Sequence, residues 1–125
     1  MSFNPIHQHL IVSSVCEDPP QTCEEVETFL RDLVETVGMK VVAGPMSAMV
    51  SEEGNEGPTG AVVLATSHAA IHSWTVNGRV EWDLYSCCKF DPNRALYLFA
   101  SRFNPSELDW KLIDRNNLRD TTNED

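Results

Sequence analysis

The stretch AAIHSWTVNGRVEWDLYSC, residues 69–87, decides the fold. Asn77-Gly78 sits between two runs of strand-forming residues. A two-residue type I′ hairpin turn looks like this, because both of its central residues must tolerate positive φ. That register sets Val76 opposite Arg79 and, counting back, His72 opposite Asp83. Side chains alternate along strands, so His72, Trp74, Glu81, Asp83, Tyr85 and Cys87 fall on one face. Histidine, aspartate and cysteine together are unusual on a face that only packs, and they mark a candidate site.

Upstream of the hairpin, residues 9–15 are rich in Leu, Ile and Val and read as a strand, ended by Pro19-Pro20. Thr22 and Glu25 then form a capping box, hydroxyl and carboxylate each satisfying a free backbone N–H. Val26, Phe29, Leu30, Leu33, Val34 and Val37 follow at helical spacing, and Gly38 closes the helix in the left-handed conformation. Residues 40–50 read as a second strand interrupted by Gly44-Pro45, and the acidic stretch 51–59 as a loop. Residues 60–65 form a short apolar strand suited to burial on both faces.

Downstream, Asp91-Pro92 starts a second helix, with Asp as N-cap and Pro in the first turn. Ala95, Leu96, Phe99 and Phe103 make its apolar stripe, Pro105 ends it, and residues 109–118 supply a last strand. The polar residues 119–125 are expected to fray. The order β-α-β-β-β-β-α-β has too few helices to cover two faces. It implies an α+β fold: a two-layer α/β sandwich, mainly antiparallel sheet, with two helices on one face. At 125 residues, one domain spanning 1–125 is expected.

Composition narrows the function. Acidic residues outnumber basic ones 19 to 9, for a net charge of −10. A nucleic-acid partner is therefore not expected, since phosphates are neutralised with Lys and Arg. No apolar run approaches the roughly 18–20 residues of a membrane span. The opening Met-Ser-Phe-Asn-Pro has neither the basic patch nor the apolar block of a signal peptide, so a cytoplasmic protein is expected. Cys16, Cys23, Cys87 and Cys88 form no Cys-x-x-Cys pattern, and no metal site is expected. Cys16 and Cys23 read as small apolar core residues, whereas Cys87 falls on the candidate face.

Residues 67–74 carry the pattern Ser-His-x-x-Ile-His-x-Trp, followed downstream by Asp83-Leu84-Tyr85-Ser86-Cys87. This resembles the small bacterial and archaeal S-adenosylmethionine decarboxylases, with Glu-Ser-His-x-x-Ile-His-Thr-Trp and an Asp-x-Phe-Thr-Cys strand end. Gly57-Pro58-Thr59-Gly60 stands where the family has Gly-x-Ser-Gly. The opening His9-Leu10-Ile11-Val12 and the Asp91-Pro92 helix start also agree.

The resemblance implies a proenzyme that makes its own pyruvoyl cofactor. The Ser67 hydroxyl would attack the Thr66 carbonyl, and β-elimination would divide the chain into 1–66 and 67–125, leaving a pyruvoyl group at position 67. His72 matches the histidine that takes the α-proton in that elimination. Thr59 stands for the serine that assists the acyl shift. The cofactor would form a Schiff base with the substrate's amino group, and Cys87 matches the residue that returns a proton after carbon dioxide leaves. The implied activity is decarboxylation of S-adenosylmethionine for spermidine synthesis, in a homodimer of processed protomers. Taken singly, Ser67 reads as a surface serine, His72 as a hydrogen-bonded core histidine, and Trp74 and Trp82 as packing residues.

Three departures from the family pattern stand out. Thr66 replaces the glutamate before the processing serine. Thr75-Val76 replaces a Pro-Glu whose carboxylate holds the ribose, and Ser51-Glu52-Glu53 lies where an aromatic residue stacks on adenine. Two other readings follow: a decarboxylase of a basic amino acid such as arginine or ornithine, drawn by Glu52, Glu53 and Glu56, or an unprocessed, non-catalytic partner subunit.

Overall fold

The computed structural model describes residues 5–118; the polar stretch 119–125 and the first four residues lie outside it. The observed order is β1 (Gln8–Cys16), α1 (Cys23–Val37), β2 (Val41–Val50), β3 (Gly57–Leu64), β4 (Ser67–Trp74), β5 (Arg79–Ser86), α2 (Pro92–Phe103) and β6 (Pro105–Asp114). The strands form one sheet in the order β2-β3-β4-β5-β1-β6, and every neighbouring pair is antiparallel.

Both helices form where local chemistry favours them. The Thr22 hydroxyl accepts from the Glu25 N–H at 3.1 Å. The returning carboxylate accepts from the Gln21 N–H at 3.1 Å and from the Thr22 hydroxyl at 3.2 Å, so the reciprocal backbone bond falls one residue earlier than a standard capping box puts it. Gly38, at φ 75°, closes α1. Asp91 caps α2 by accepting from the Asn93 N–H at 3.0 Å.

The apolar stripes of both helices pack on a single sheet face. Val26, Phe29, Leu30 and Leu33 of α1 and Ala95, Phe99 and Phe103 of α2 are buried with Leu10, Val12, Val62, Ile71, Val80, Trp82 and Leu84. Phe29 stands edge-on to Trp82, Phe99 and Phe103 with ring centroids 5.5–5.9 Å apart. Edge-to-face geometry adds about 0.5–1.5 kcal/mol per pair beyond burial. This cluster joins the two layers, and Trp82 serves packing as expected.

The structure corrects several expectations. β3 is buried on one face only: Val63 is 50% exposed while its neighbours Val62 and Leu64 are buried. β3 already begins at Gly57, which takes Thr59 out of the loop and into the sheet. Pro105 does follow the end of the second helix, but the last strand runs from Pro105 to Asp114, four residues earlier at each end than the expected 109–118. The β4–β5 connection is a four-residue loop, Thr75 to Gly78, with Trp74 opposite Arg79 and His72 opposite Glu81. Tertiary contact overrides the two-residue turn here. Gly78 lies against the end of β1, where its C=O accepts from the Cys16 N–H at 2.8 Å and an added Cβ would come within 2.5 Å of the Cys16 oxygen.

Candidate active site

The register slips by two residues, an even number, so the predicted face survives. His9, Thr59, His68, His72, Glu81, Asp83 and Tyr85 all alternate with buried core positions, and so line the sheet face opposite the helices. Cys87 does not join them. β5 ends at Ser86 and the chain bends there, carrying Cys87 to the end of the sheet.

At that end the Ala65-Thr66 turn joins β3 to β4. Thr66 has φ 51°, a left-handed conformation that costs a β-branched residue about 1–2 kcal/mol. Its hydroxyl lies 2.8 Å from the Ala65 carbonyl and 3.0 Å from Cys87 Sγ. Ser67, the first residue of β4, is only 8% exposed, so it is no ordinary surface serine. The Cys87 backbone N–H donates to Ser67 Oγ at 3.0 Å. The three residues read from the sequence as scissile pair and proton donor thus meet in space.

The Thr66 hydroxyl, and after it the Ser67 hydroxyl, hold the Cys87 thiol below the ordinary cysteine range, against the opposing effect of burial. In the uncleaved chain Cys87 is therefore a stronger acid than a free thiol. Beside it lies a cavity of about 190 Å³, walled by Gly38, Met39, Ser67, Ser86, Cys87 and Cys88 among others.

The other predicted pair is elsewhere. Thr59 and His72 are opposite each other on β3 and β4, and Thr59 Oγ1 lies 2.5 Å from His72 Nδ1. His72 follows Ser67 by five residues, so the two lie roughly 16 Å apart along the strand at ~3.3 Å per residue, on opposite faces. Each half of the expected constellation is assembled, and the halves are separate within one chain.

Trp74 is not a core residue. It sits beside His72, ring centroids 6.4 Å apart, and its indole N–H donates to Asn55 Oδ1 at 2.6 Å. The acidic loop is largely self-satisfied: Glu52 accepts from the Asn55 side chain at 3.2 Å and Glu56 from the Gly54 N–H at 3.0 Å.

Sequence reading gave His68 no role and did not connect it to His9. The structure gathers His9, His68 and Asp83, whose ligand atoms all lie within 4.8 Å of one another. His9 Nε2 is 2.8 Å from Asp83 Oδ2. Tyr85 packs against both rings and carries the Arg115 guanidinium on its face, 4.6 Å from the centroid. The signal available beforehand was the even spacing of Asp83 and Tyr85; the β1 contribution needed the strand order. These are the only three among the described residues that gather as a possible ligand set, and the His9–Asp83 bond already gives two of them a partner.

Comparison with known proteins adds to this geometry. A protein-family profile described as S-adenosylmethionine decarboxylase matches residues 8–116. A protein of Archaeoglobus fulgidus named S-adenosylmethionine decarboxylase proenzyme is 30% identical over 90 residues, covering 71% of this chain and 80% of the relative. A protein of the same name from a Hydrogenobaculum species is 30% identical over 105 residues, 79% of this chain and 75% of the relative. The crystal structure of the adenosylmethionine decarboxylase from Aquifex aeolicus superposes with a TM-score of 0.74 at 22% identity, over 90% of this chain and 92% of the other. That likeness establishes the fold.

Proposed function

The chain belongs to the S-adenosylmethionine decarboxylase family, and from that premise we propose that it works through a pyruvoyl group made from its own Ser67. Its activity is that of a carboxy-lyase acting on S-adenosylmethionine. Neither alternative gains support. Of the three acidic side chains that would draw arginine or ornithine, Glu52, Glu53 and Glu56, the first and last are engaged within their own loop.

The observation that carries the cofactor reading is the seat of Ser67. Its Oγ accepts a backbone N–H, which favours the oxygen as it gains negative charge. The adjoining peptide belongs to a residue in a strained conformation. In the processing reaction Ser67 Oγ attacks the Thr66 carbonyl carbon, the C–N bond breaks, and the nitrogen takes up a proton, giving an ester. Loss of the Ser67 α-proton then expels the Thr66 carboxylate, cleaving the chain between 66 and 67. Water finally displaces ammonia and leaves the ketone.

Once formed, the group supplies a carbonyl that takes up the substrate's amino group and withdraws electrons as carbon dioxide leaves. The cavity beside Ser67 leaves room for that group. Cys87 holds a proton at Sγ, beside position 67, for return to the substrate carbon. His72 is the base for the α-proton and Thr59 Oγ1 fixes its ring through Nδ1. For His72 to act at Ser67, a second copy of the chain must bring its own β4 near, so the working unit is a homodimer in which each site combines Ser67 and Cys87 of one copy with Thr59 and His72 of the other. The product would serve polyamine synthesis, as an aminopropyl donor for spermidine, in the cytoplasm.

Intact mass and denaturing electrophoresis of the purified protein, with carbon dioxide release from S-adenosylmethionine, arginine and ornithine, test the proposal. Two fragments, 1–66 and 67–125, the second blocked to Edman degradation, with release from S-adenosylmethionine alone, are expected. A chain that stays whole on long incubation would sink the cofactor reading.

A further inference from the structure

Cys87 has a second thiol beside it. Consecutive residues of a strand point to opposite faces. Here β5 has ended, the chain bends through Cys87 and Cys88, and the two sulfurs lie 3.7 Å apart. Ser86 holds the bend: its hydroxyl donates to the Cys88 carbonyl at 2.5 Å and accepts from the Cys88 N–H at 2.9 Å. The Cys87 peptide is anchored as well, its N–H on Ser67 Oγ and its C=O accepting from the Ile6 N–H at 2.9 Å.

The sulfurs differ in setting. Cys87 is buried at the wall of the small cavity, while Cys88 lines the same cavity and is exposed. In the uncleaved chain hydrogen bonds with Thr66 and Ser67 favour the Cys87 thiolate, and the bond between the two thiols, whose residues cleavage leaves joined, lowers Cys87 and pushes Cys88 the other way. One sulfur is thus disposed to attack an oxidant, and the other remains a thiol within reach of the product.

We propose that Cys87 and Cys88 form an oxidation site for hydroperoxides, at which a vicinal disulfide reversibly withdraws Cys87 from the reaction. The Cys87 thiolate attacks a peroxide oxygen, the O–O bond breaks, an alkoxide or hydroxide leaves with a proton, and Cys87 becomes a sulfenic acid. Cys88 then attacks the Cys87 sulfur, the S–O bond breaks, and water carries away the hydroxyl and the thiol proton. Two electrons pass from the two thiols to the peroxide.

Adjacent Cα atoms lie about 3.8 Å apart across a trans peptide, short of the roughly 4.4–6.8 Å that unstrained disulfides span. The bond is accordingly strained and readily returned to thiols by a dithiol. In this arrangement Cys88 protects Cys87 from passing on to the sulfinic acid, which dithiols do not repair. Formation of the disulfide is independent of the decarboxylase reading; only its effect on activity rests on that reading.

The test uses the full chain as purified, reduced, then exposed to hydrogen peroxide with dimedone present as a sulfenic-acid trap. The expected result is a loss of two hydrogens, mapped to the peptide holding Cys87 and Cys88, restored by dithiothreitol, with decarboxylation lost and regained in step. In Cys88→Ser the dimedone adduct should appear at Cys87, and longer exposure should give a sulfinic acid and irreversible inactivation. Equal dimedone capture at Cys87 in the unaltered chain and the variant would overturn the proposal, as would a Cys87 that peroxide leaves reduced. A reversible disulfide in a chain without decarboxylase activity would support the oxidation site and overturn the decarboxylase reading instead.

Discussion

The backbone N–H of Cys87 donates a 3.0 Å hydrogen bond to Ser67 Oγ, tying the residue after β5 to the first residue of β4. Ser67→Ala removes the nucleophile and leaves that buried N–H without its acceptor. The variant is expected to remain a single full-length chain. It should also be about 1–3 kcal/mol less stable than an unprocessed reference such as His72→Ala, the usual cost of an orphaned buried donor. Electrophoresis reads the first outcome and urea titration the second. Equal stability of the two variants would mean that the bond contributes nothing.

His72 and Ser67 lie on opposite faces of one strand, which makes trans action testable by mixing. Ser67→Ala and His72→Ala chains should each stay whole when expressed alone. Co-expressed, roughly half of randomly paired two-fold dimers are mixed, and in these the His72→Ala chain should be cut after Thr66 by its partner's histidine. Differently tagged chains on a denaturing gel identify which one is cut. Absence of cleavage in mixed dimers isolated through both tags would exclude the trans arrangement.

Much of this was legible in the sequence, and the misses have physical causes. The apolar spacing in α1 and α2 is a local property and survived intact. The alternation in β4 and β5 also survived, because a slip of two residues preserves the face. The exact register did not, since Gly78 is placed by the end of β1 and not by its neighbours in sequence. The Asn77 side chain, accepting from the Arg79 N–H at 3.0 Å, closes the longer loop. Cys87 escaped the face assignment because alternation stops where a strand stops. Likewise, the separation of Ser67 from His72 follows from their odd spacing, which sequence numbers contain, but which motif matching alone ignores.

Gly57 carries a prediction about the second half of the site. Its φ of 152° lies where side chains are rarely tolerated, and an added Cβ would fall 1.8 Å from the Ser73 oxygen. Gly57→Ala therefore forces β3 away from β4 two residues from Thr59. A stability loss of about 3 kcal/mol or more is expected, at the upper end for overpacking because the obstacle is backbone. Processing should slow with it, as the Thr59–His72 hydrogen bond is displaced. Thermal unfolding together with the rate of fragment appearance checks this; an alanine variant that is stable and processed at the normal rate would contradict the geometry.

The last prediction concerns Cys87 itself. The Thr66 hydroxyl, 3.0 Å from Sγ, is the largest of the influences that lower this thiol. Those influences favour the charged form, so the thiolate fraction should rise at lower pH than for an ordinary cysteine. Thr66→Val keeps the shape of the side chain and removes the hydroxyl, which should move the titration to higher pH. Measuring the rate of iodoacetamide alkylation at Cys87 against pH in the uncleaved His72→Ala background keeps Thr66 and Ser67 in place. Burial opposes the shift, so its loss of support should leave Cys87 nearer Cys16, which burial holds above the ordinary range. An alkylation profile that Thr66→Val leaves unmoved would show that the hydroxyl does not act on the thiol.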